Sequence, residues 1–326
     1  MNFGCGEASF IGSVALVWLL NTLKEKKQTE KKSKQSDGVA QVGKIQLAKI
    51  DLGLFFDQEN NKEAFERECA KLAEVLHLYG AAAVKDPRVD EEYNDTFLDM
   101  MERYFALSDG KRDARPQYHY QVGVTGEKIE RARNFCTTMG AYGPDDKPLS
   151  PCPPEFDAKW RFFWRIGPSP KESRFPALNM DPVIPPEIPE WKRVMDKWGN
   201  HMMDAQFVVA EMAAIGFKLQ RDAFTSRMLC GPHLLAPTGS DLSGKYGEKG
   251  TILAGFHYDL NFMTIHGKSR FPGLFLWTRE GKKTQVAVPD GCLLIQAGKQ
   301  LEYLTGGHVQ AGFHEVVVTE HTQEVV

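Results

Sequence analysis

Residues 255–266 read GFHYDLNFMTIH, an otherwise apolar stretch that contains two histidines and an aspartate. His257 and Asp259 are two positions apart, and residues with that spacing lie on one face of a strand. One interpretation is a hydrogen-bonded structural pair. The other is part of a metal site, because two histidines and one carboxylate are the ligands of non-haem Fe(II) oxygenases. The chain has nine histidines, so the pair alone is a weak signal.

The third ligand has to come from farther along the chain. His266 lies nine positions after His257, which on an extended strand is roughly 30 Å away. His321 follows the last predicted strand, and His308 follows a pair of glycines. His314 opens the stretch HEVVV after several strand-like segments. A later strand of a barrel can therefore bring it back beside the first, and the spacing favours His314 over His308.

The composition is that of a soluble globular protein, with 326 residues, 42% hydrophobic and 25% charged. A net charge of −3 argues against a nucleic-acid partner. The six cysteines show no regular spacing, which predicts reduced thiols in a cytoplasmic protein. We further expect a monomer.

The N-terminus differs from the rest of the chain. Residues 8–23 carry no charge and precede a lysine-rich run, but a bilayer span needs about 20 apolar residues. Two interpretations remain open: a membrane anchor with the lysines on the cytoplasmic side, and a docked or loose terminus. The predicted organisation is an apolar segment with a linker (1–42), a region of helices and strands (43–184), and a long helix with the metal-binding strands (185–326).

The remaining elements follow from periodicity and turn residues. Three segments have apolar residues at helical spacing and are predicted helices: 61–80, 91–107 and 189–217. Gly80 is the predicted end of the first. Residues 108–185 are predicted to be mostly loops and short elements, with Arg131 and Arg133 solvated. From Met228 onward, short strands separated by Gly, Pro and Asp, LEYLTGG among them, indicate a sandwich or barrel.

Residues 228–318 resemble the iron- and 2-oxoglutarate-dependent dioxygenases of the isopenicillin-N-synthase-like type. GFHYDLNFMTI is similar to the His-x-Asp motif of that family with its downstream threonine, here Thr264. GGHVQAGFHEV is similar to the segment that carries the distal iron-binding histidine, here His314. The stretches IDLGLF and AKLAEVLHLYGAAAV resemble the opening of the family. The resemblance covers 44–107 and 185–318.

This resemblance implies an α+β, mainly β fold, in which a double-stranded β-helix (jelly roll) is backed by helices. It implies an Fe(II) site formed by His257, Asp259 and His314, with 2-oxoglutarate and O2 as co-substrates, ascorbate as a reductant and Thr264 at the co-substrate. The implied reaction oxidises a small molecule, by hydroxylation, desaturation or cyclisation, and releases succinate and CO2.

Two motifs depart from the family. HLLAPTG stands where the family has a tyrosine in an Asn-Tyr-Tyr-Pro type motif. The family also has an Arg-x-Ser motif that binds the far carboxylate of 2-oxoglutarate on a further strand, but the twelve residues after His314 contain no Arg or Lys. We expect that the final strand is missing through truncation. The alternatives are another carboxylate partner, Arg270 or Lys268, and an inactive relative that acts as a ligand-binding module. A zinc-dependent hydrolase with the same ligands is a further alternative, for which no general base stands out.

Overall fold

The computed structural model describes residues 14–19 and 43–324, and these ranges contain thirteen strands and eight α-helices. The strands are β1 Val14–Leu19, β2 Gly43–Gln46, β3 Lys49–Asp51, β4 Ala81–Lys85, β5 Gly123–Thr125, β6 Trp160–Arg165, β7 Leu234–Gly239, β8 Ile252–His257, β9 Met263–His266, β10 Leu274–Trp277, β11 Lys283–Ala287, β12 Leu293–Ala297 and β13 His314–Val317. The helices are α1 Gly53–Phe56, α2 Lys62–Tyr79, α3 Glu91–Leu107, α4 Cys136–Gly140, α5 Trp191–Gly216, α6 Thr225–Met228, α7 Lys299–Leu304 and α8 Glu320–Glu324.

The strands form two sheets. One has eight strands in the order β3-β4-β12-β9-β1-β7-β6-β5, and the other has five in the order β2-β11-β10-β13-β8. Most neighbouring strands are antiparallel, whereas β1, β2 and β3 form parallel pairs. The protein therefore has a mixed fold of helices and largely antiparallel sheets, which confirms the α+β class expected from the sequence.

The three long helices form one face of the main core. All three predicted helices are confirmed, as α2, α3 and α5. Trp191, Trp198 and Met202 on α5 are almost completely buried and belong to the largest hydrophobic cluster. Gly80 ends α2 in the left-handed region at φ 60°, where a Cβ would lie 2.6 Å from the carbonyl oxygen of Gln310. A glycine is therefore required at this helix end.

The first strand occupies an interior position of the larger sheet. β1 pairs in parallel with β7 on one side and with β9 on the other, so that Val14 lies opposite both Leu234 and Thr264. The remainder of residues 8–23 and the predicted linker lie outside the described residues. Within the ranges described, no helix is long and apolar enough to cross a membrane.

One prediction of local structure is confirmed and another was wrong. Residues 108–185, expected to be mostly loops and short elements, contain the short elements β5, α4 and β6 with loops between them. LEYLTGG, expected among the short strands, lies largely in α7, in which Lys299 and Glu302 are paired three positions apart and Leu301 is buried. A pair three positions apart is typical of a helix. The segment was assigned to a strand because the segments on both sides of it do form strands.

The cysteines also differ from the expectation of reduced thiols. Cys136, at the start of α4, forms a disulfide with Cys152, and their Cα atoms are 5.6 Å apart. Cys69 and Cys292 are free and buried. The spacing of sixteen residues between the paired cysteines gave no sign of the contact, because a fold of the intervening loop brings them together.

Candidate metal centre

Two neighbouring strands bring the candidate ligands together. β8 and β13 are antiparallel, and His257 lies directly opposite His314 in their register. Their rings are 4.2 Å apart between centroids and inclined by 51°. Asp259 follows the end of β8, and its Oδ1 lies 3.8 Å from Nε2 of His257 and 3.9 Å from Nε2 of His314. One ligand atom from each residue lies within 4.8 Å of the other two, a spacing that a single ion can bridge.

Hydrogen bonds to the backbone orient both histidine rings. Nδ1 of His257 lies 2.6 Å from the carbonyl oxygen of Gly255, and Nδ1 of His314 lies 3.0 Å from that of Gly312. Because a carbonyl oxygen only accepts, Nδ1 carries the proton in each ring and donates it. Nε2 of each ring is therefore left with a lone pair toward Asp259, which is the arrangement of metal-binding histidines.

A hydrogen bond from a neighbouring threonine orients the carboxylate of Asp259. Thr264 donates its hydroxyl proton to Oδ2 of Asp259 at 2.5 Å, and Nδ2 of Asn261 donates to the oxygen of Thr264 at 2.9 Å. Burial by itself would raise the pKa of Asp259, but the neighbouring His314 and His257 and the bond from Thr264 hold it below its usual range. Burial and His314 lower the pKa of His257. An ionised carboxylate beside neutral imidazole is the protonation state that a metal ion requires.

A buried ion pair supports β13 next to the site. Glu315 is fully buried and accepts a hydrogen bond from Lys283 at 2.7 Å. Its carboxylate also accepts from the backbone N–H of Leu149 at 2.9 Å and from the hydroxyl of Ser150 at 2.7 Å. The Ser150 oxygen in turn accepts from the N–H of Phe256 at 2.8 Å. The loop at 149–150 is thus fastened to both strands that carry the histidines.

A cavity of about 500 Å³ opens in front of the three ligands. We call the side formed by His257, Asp259 and His314 the metal wall. The side formed by Lys159, Arg161 and Phe163 is the cationic wall, which comes from β6 and the residue before it. Other residues lining the cavity are Gln121, Glu130, Arg131, Ala132, Arg133, Phe135, Asp157, Leu234, Thr238, Ala254, Tyr258, Leu260, Asn261, His266 and Leu274.

The two cations of the cationic wall have carboxylate partners next to them. Lys159 pairs with Asp157 and lies 3.5 Å from Glu130, and Arg161 also pairs with Glu130. Burial lowers the pKa of Arg161 to about 10, against the opposing effect of Asp259. The guanidinium therefore remains charged at neutral pH.

The structure brings together some of the residues expected at the site and separates others. Thr264 is fully buried behind Asp259 rather than in the cavity lining. Arg270 lies elsewhere, where it is paired with three carboxylates on α3: Asp95, Asp99 and Glu102. Lys268 lies 3.7 Å from Glu91. Neither cation lines the cavity.

The other histidines considered as third ligand also lie apart from the metal wall. His308 stacks on His77, with ring centroids 4.2 Å apart. His266 reaches the cavity, but its Nε2 is 2.5 Å from Oε1 of Gln296. His321 is exposed on α8.

The cationic wall was missed in the sequence. KWRFFWR contains Lys159, Arg161 and Phe163 at alternate positions, and the intervening Trp160 and Phe162 and the following Trp164 pack in or against the main core. This alternation is the signature of a strand with one face in a polar cavity. It was overlooked because the surrounding residues are rich in Pro, Gly and charge.

No family model matches the chain. A curated relative, azadirone synthase LFS of Melia azedarach, is 24% identical over 140 residues, which make up 41% of this chain and 42% of that protein. The alignment therefore spans less than half of the curated relative's length.

Solved structures give broader coverage. A protein from Caulobacter crescentus assigned to the 2OG-Fe(II) oxygenase family has a TM-score of 0.62 at 23% identity, over 86% of this chain and 83% of its own. A full-length Neurospora crassa protein, crystallised with alpha-KG, has a TM-score of 0.62 at 15% identity, over 86% and 82%. JOX2, solved with 2OG, Fe and JA, has a TM-score of 0.58 at 15% identity, over 85% and 72%.

The chain has the fold of the 2OG-Fe(II) oxygenases. The family resemblance drawn from the sequence is thereby confirmed for the fold. In this 2OG-Fe(II) oxygenase fold, the metal wall and the cavity in front of it form the candidate active site. The domain boundaries, the monomeric state, the cytoplasmic location and the use of ascorbate stay predictions.

Proposed function

We propose that this protein is an Fe(II)- and 2-oxoglutarate-dependent oxygenase that oxidises a small molecule, and that its two sheets form a double-stranded β-helix. The observation that carries the proposal is the metal wall. Two histidines and one aspartate converge within 4.8 Å, and this ligand set leaves open positions on an octahedral ion for co-substrate and O2. When bound, iron and 2-oxoglutarate supply the activation of O2, with release of succinate and CO2.

The residues around the cavity have separate roles in this proposal. His257, Asp259 and His314 hold the metal, and their backbone and Thr264 hydrogen bonds fix the ligand atoms before metal binds. Thr264, expected at the co-substrate, takes the role of orienting Asp259 instead. Aromatic side chains such as Phe135 line the cavity and limit the access of water to the reacting molecules.

A small molecule is the class of substrate that suits this site. The cavity volume of about 500 Å³ is within the usual range of small-ligand pockets. Among proteins with this fold, the Neurospora crassa protein has been crystallised with alpha-KG and thymine, and JOX2 with JA. Hydroxylation, desaturation and cyclisation are all compatible with this proposal, since the outcome depends on the substrate.

The same residues favour oxygenase chemistry over zinc-dependent hydrolysis. A hydrolase of that kind needs a carboxylate near the metal that is free to act as a general base. Glu130 and Asp157 line the cavity, but both are paired with cations of the cationic wall.

The test is anaerobic titration of the full chain with Fe(II) and then with 2-oxoglutarate, following the visible charge-transfer band that chelation produces. We expect a band in the wild type and none in His257→Ala or His314→Ala, since loss of a metal ligand removes the binding energy of the ion. His321→Ala is the matched control, because its side chain is 71% exposed and lies on α8. A wild type that fails to bind Fe(II), or equal loss in His321→Ala, would contradict the proposal.

A further inference from the structure

The strand β6 directs a row of side chains toward the cavity. Because side chains alternate along a strand, Arg161 and Phe163 line the cavity with Lys159, whereas Phe162 and Trp164 pack in the main core. β6 pairs with β7 in the larger sheet. A cation on such a strand is held at a fixed place relative to the sheet, as a ligand-binding residue requires.

Arg161 has hydrogen-bonding capacity to spare. Its guanidinium lies over the ring of Phe163, with Cζ 4.0 Å from the ring centroid, and one amino group pairs with Glu130. Glu130 is its one hydrogen-bond partner among the described residues, and its buried Nε has none. Arginine offers five N–H donors in a planar fork. The side chain is 23% exposed, which leaves it accessible from the cavity.

The neighbouring cations are committed elsewhere or poorly placed. Lys159 is only 10% exposed and is held between Asp157 and Glu130. Arg131 and Arg133 also line the cavity, but both side chains are exposed, and Arg131 has its Cζ 5.4 Å from the ring centroid of Phe156. Arg161 is therefore the cation of the cavity best placed to receive an anionic ligand group.

We propose that Arg161 holds the second carboxylate of 2-oxoglutarate, the one that does not chelate the metal. This rests on the proposed function. A planar guanidinium binds a carboxylate through two parallel hydrogen bonds, and its unfilled donors and the stacking on Phe163 prepare it for that geometry. The assignment replaces Arg270 and Lys268, the two cations considered from the sequence.

The experiment compares two keto acids that chelate iron alike. 2-Oxoglutarate carries the second carboxylate and 2-oxobutyrate lacks it, so the ratio of their Kd values measures recognition of that group. Both are titrated anaerobically into the Fe(II)-loaded full chain and followed by the charge-transfer band. The variants are Arg161→Gln, Arg161→Lys and the control Arg131→Gln, which removes one positive charge from the same cavity. Circular dichroism and Fe(II) affinity report whether each variant is folded.

We expect the wild type to bind 2-oxoglutarate about 100-fold more tightly than 2-oxobutyrate, as a desolvated charge pair allows. Arg161→Gln should remove most of that preference and leave the Kd values of 2-oxobutyrate and Fe(II) within about 3-fold, because neither contact involves the guanidinium. Arg161→Lys should lose about 10-fold of the preference, because it keeps the charge without the fork. Arg131→Gln should keep the preference.

The outcomes separate this assignment from the proposed function. A band with both keto acids and an unchanged preference in folded Arg161→Gln and Arg161→Lys would overturn the role of Arg161 alone. The same holds for a wild type that does not distinguish the two acids. If Fe(II) binds but neither acid produces a band, the proposed function fails and the assignment fails with it.

Discussion

The two walls of the cavity are built by different means. The metal wall depends on strand register, because pairing β8 with β13 sets His257 opposite His314 and places Asp259 within 4 Å of both. The cationic wall depends on alternation along one strand, and its charges are balanced locally by Glu130 and Asp157. The metal site thus requires the correct register between two strands, whereas the carboxylate site requires one well-placed cation.

The largest expected effect concerns the ion pair that supports the metal wall. Glu315→Ala leaves Lys283 buried without its partner and removes the acceptor of the 149–150 loop. We expect the free energy of unfolding to fall by about 3–5 kcal/mol, as measured by urea denaturation.

The control for this prediction is a surface ion pair. Glu320 pairs with Lys249, and both side chains are at least 60% exposed, so Glu320→Ala should cost less than about 1 kcal/mol. The double variant Lys283→Met with Glu315→Leu should recover much of the lost stability, since the buried charge is gone. Equal losses in Glu315→Ala and Glu320→Ala would show that the buried pair does not support the metal wall.

The next effect concerns the orientation of the carboxylate. Thr264→Val keeps the shape of the side chain and removes the hydrogen bond to Asp259. We expect Fe(II) affinity to fall about 10- to 100-fold, as measured by anaerobic titration.

Thr238→Val is the matched control for the loss of a threonine hydroxyl. Thr238 lines the cavity, and its hydroxyl donates to the carbonyl oxygen of Ala236. Its Fe(II) affinity should stay within about 3-fold of the wild type, because it has no bond to a ligand. Unchanged affinity in Thr264→Val would mean that strand register alone fixes the metal wall.

The smallest effect concerns the cationic wall. Glu130→Gln removes a negative charge that occupies one side of Arg161. We expect 2-oxoglutarate to bind about 3-fold more tightly. Arg161 then lacks a competing carboxylate partner, and the cavity repels the 2-oxoglutarate dianion less. The measurement is the keto-acid titration described above. Glu127→Gln, which breaks the pair with Lys245, should leave that Kd unchanged, and weaker binding in Glu130→Gln would argue that Glu130 positions Arg161 instead.

The sequence by itself determined the long helices and the metal wall. The periodicity of α2, α3 and α5 is continuous, and the spacing of His257 and Asp259 limits where a third ligand can come from. Those features are local, or link a short motif to one later strand. For that reason they could be found from spacing and resemblance without knowledge of the packing.

Only the tertiary structure decided where the cations lie. Arg270 and Arg161 look equally available in the sequence, yet Arg270 is neutralised by carboxylates of α3, and Arg161 lies on the cavity. The placement of β1 between β7 and β9, and the Cys136–Cys152 disulfide, are likewise contacts between distant segments. The residue type gives the charge of a side chain, but the partners of that charge depend on which elements pack together. Spacing along the chain does not predict those partners.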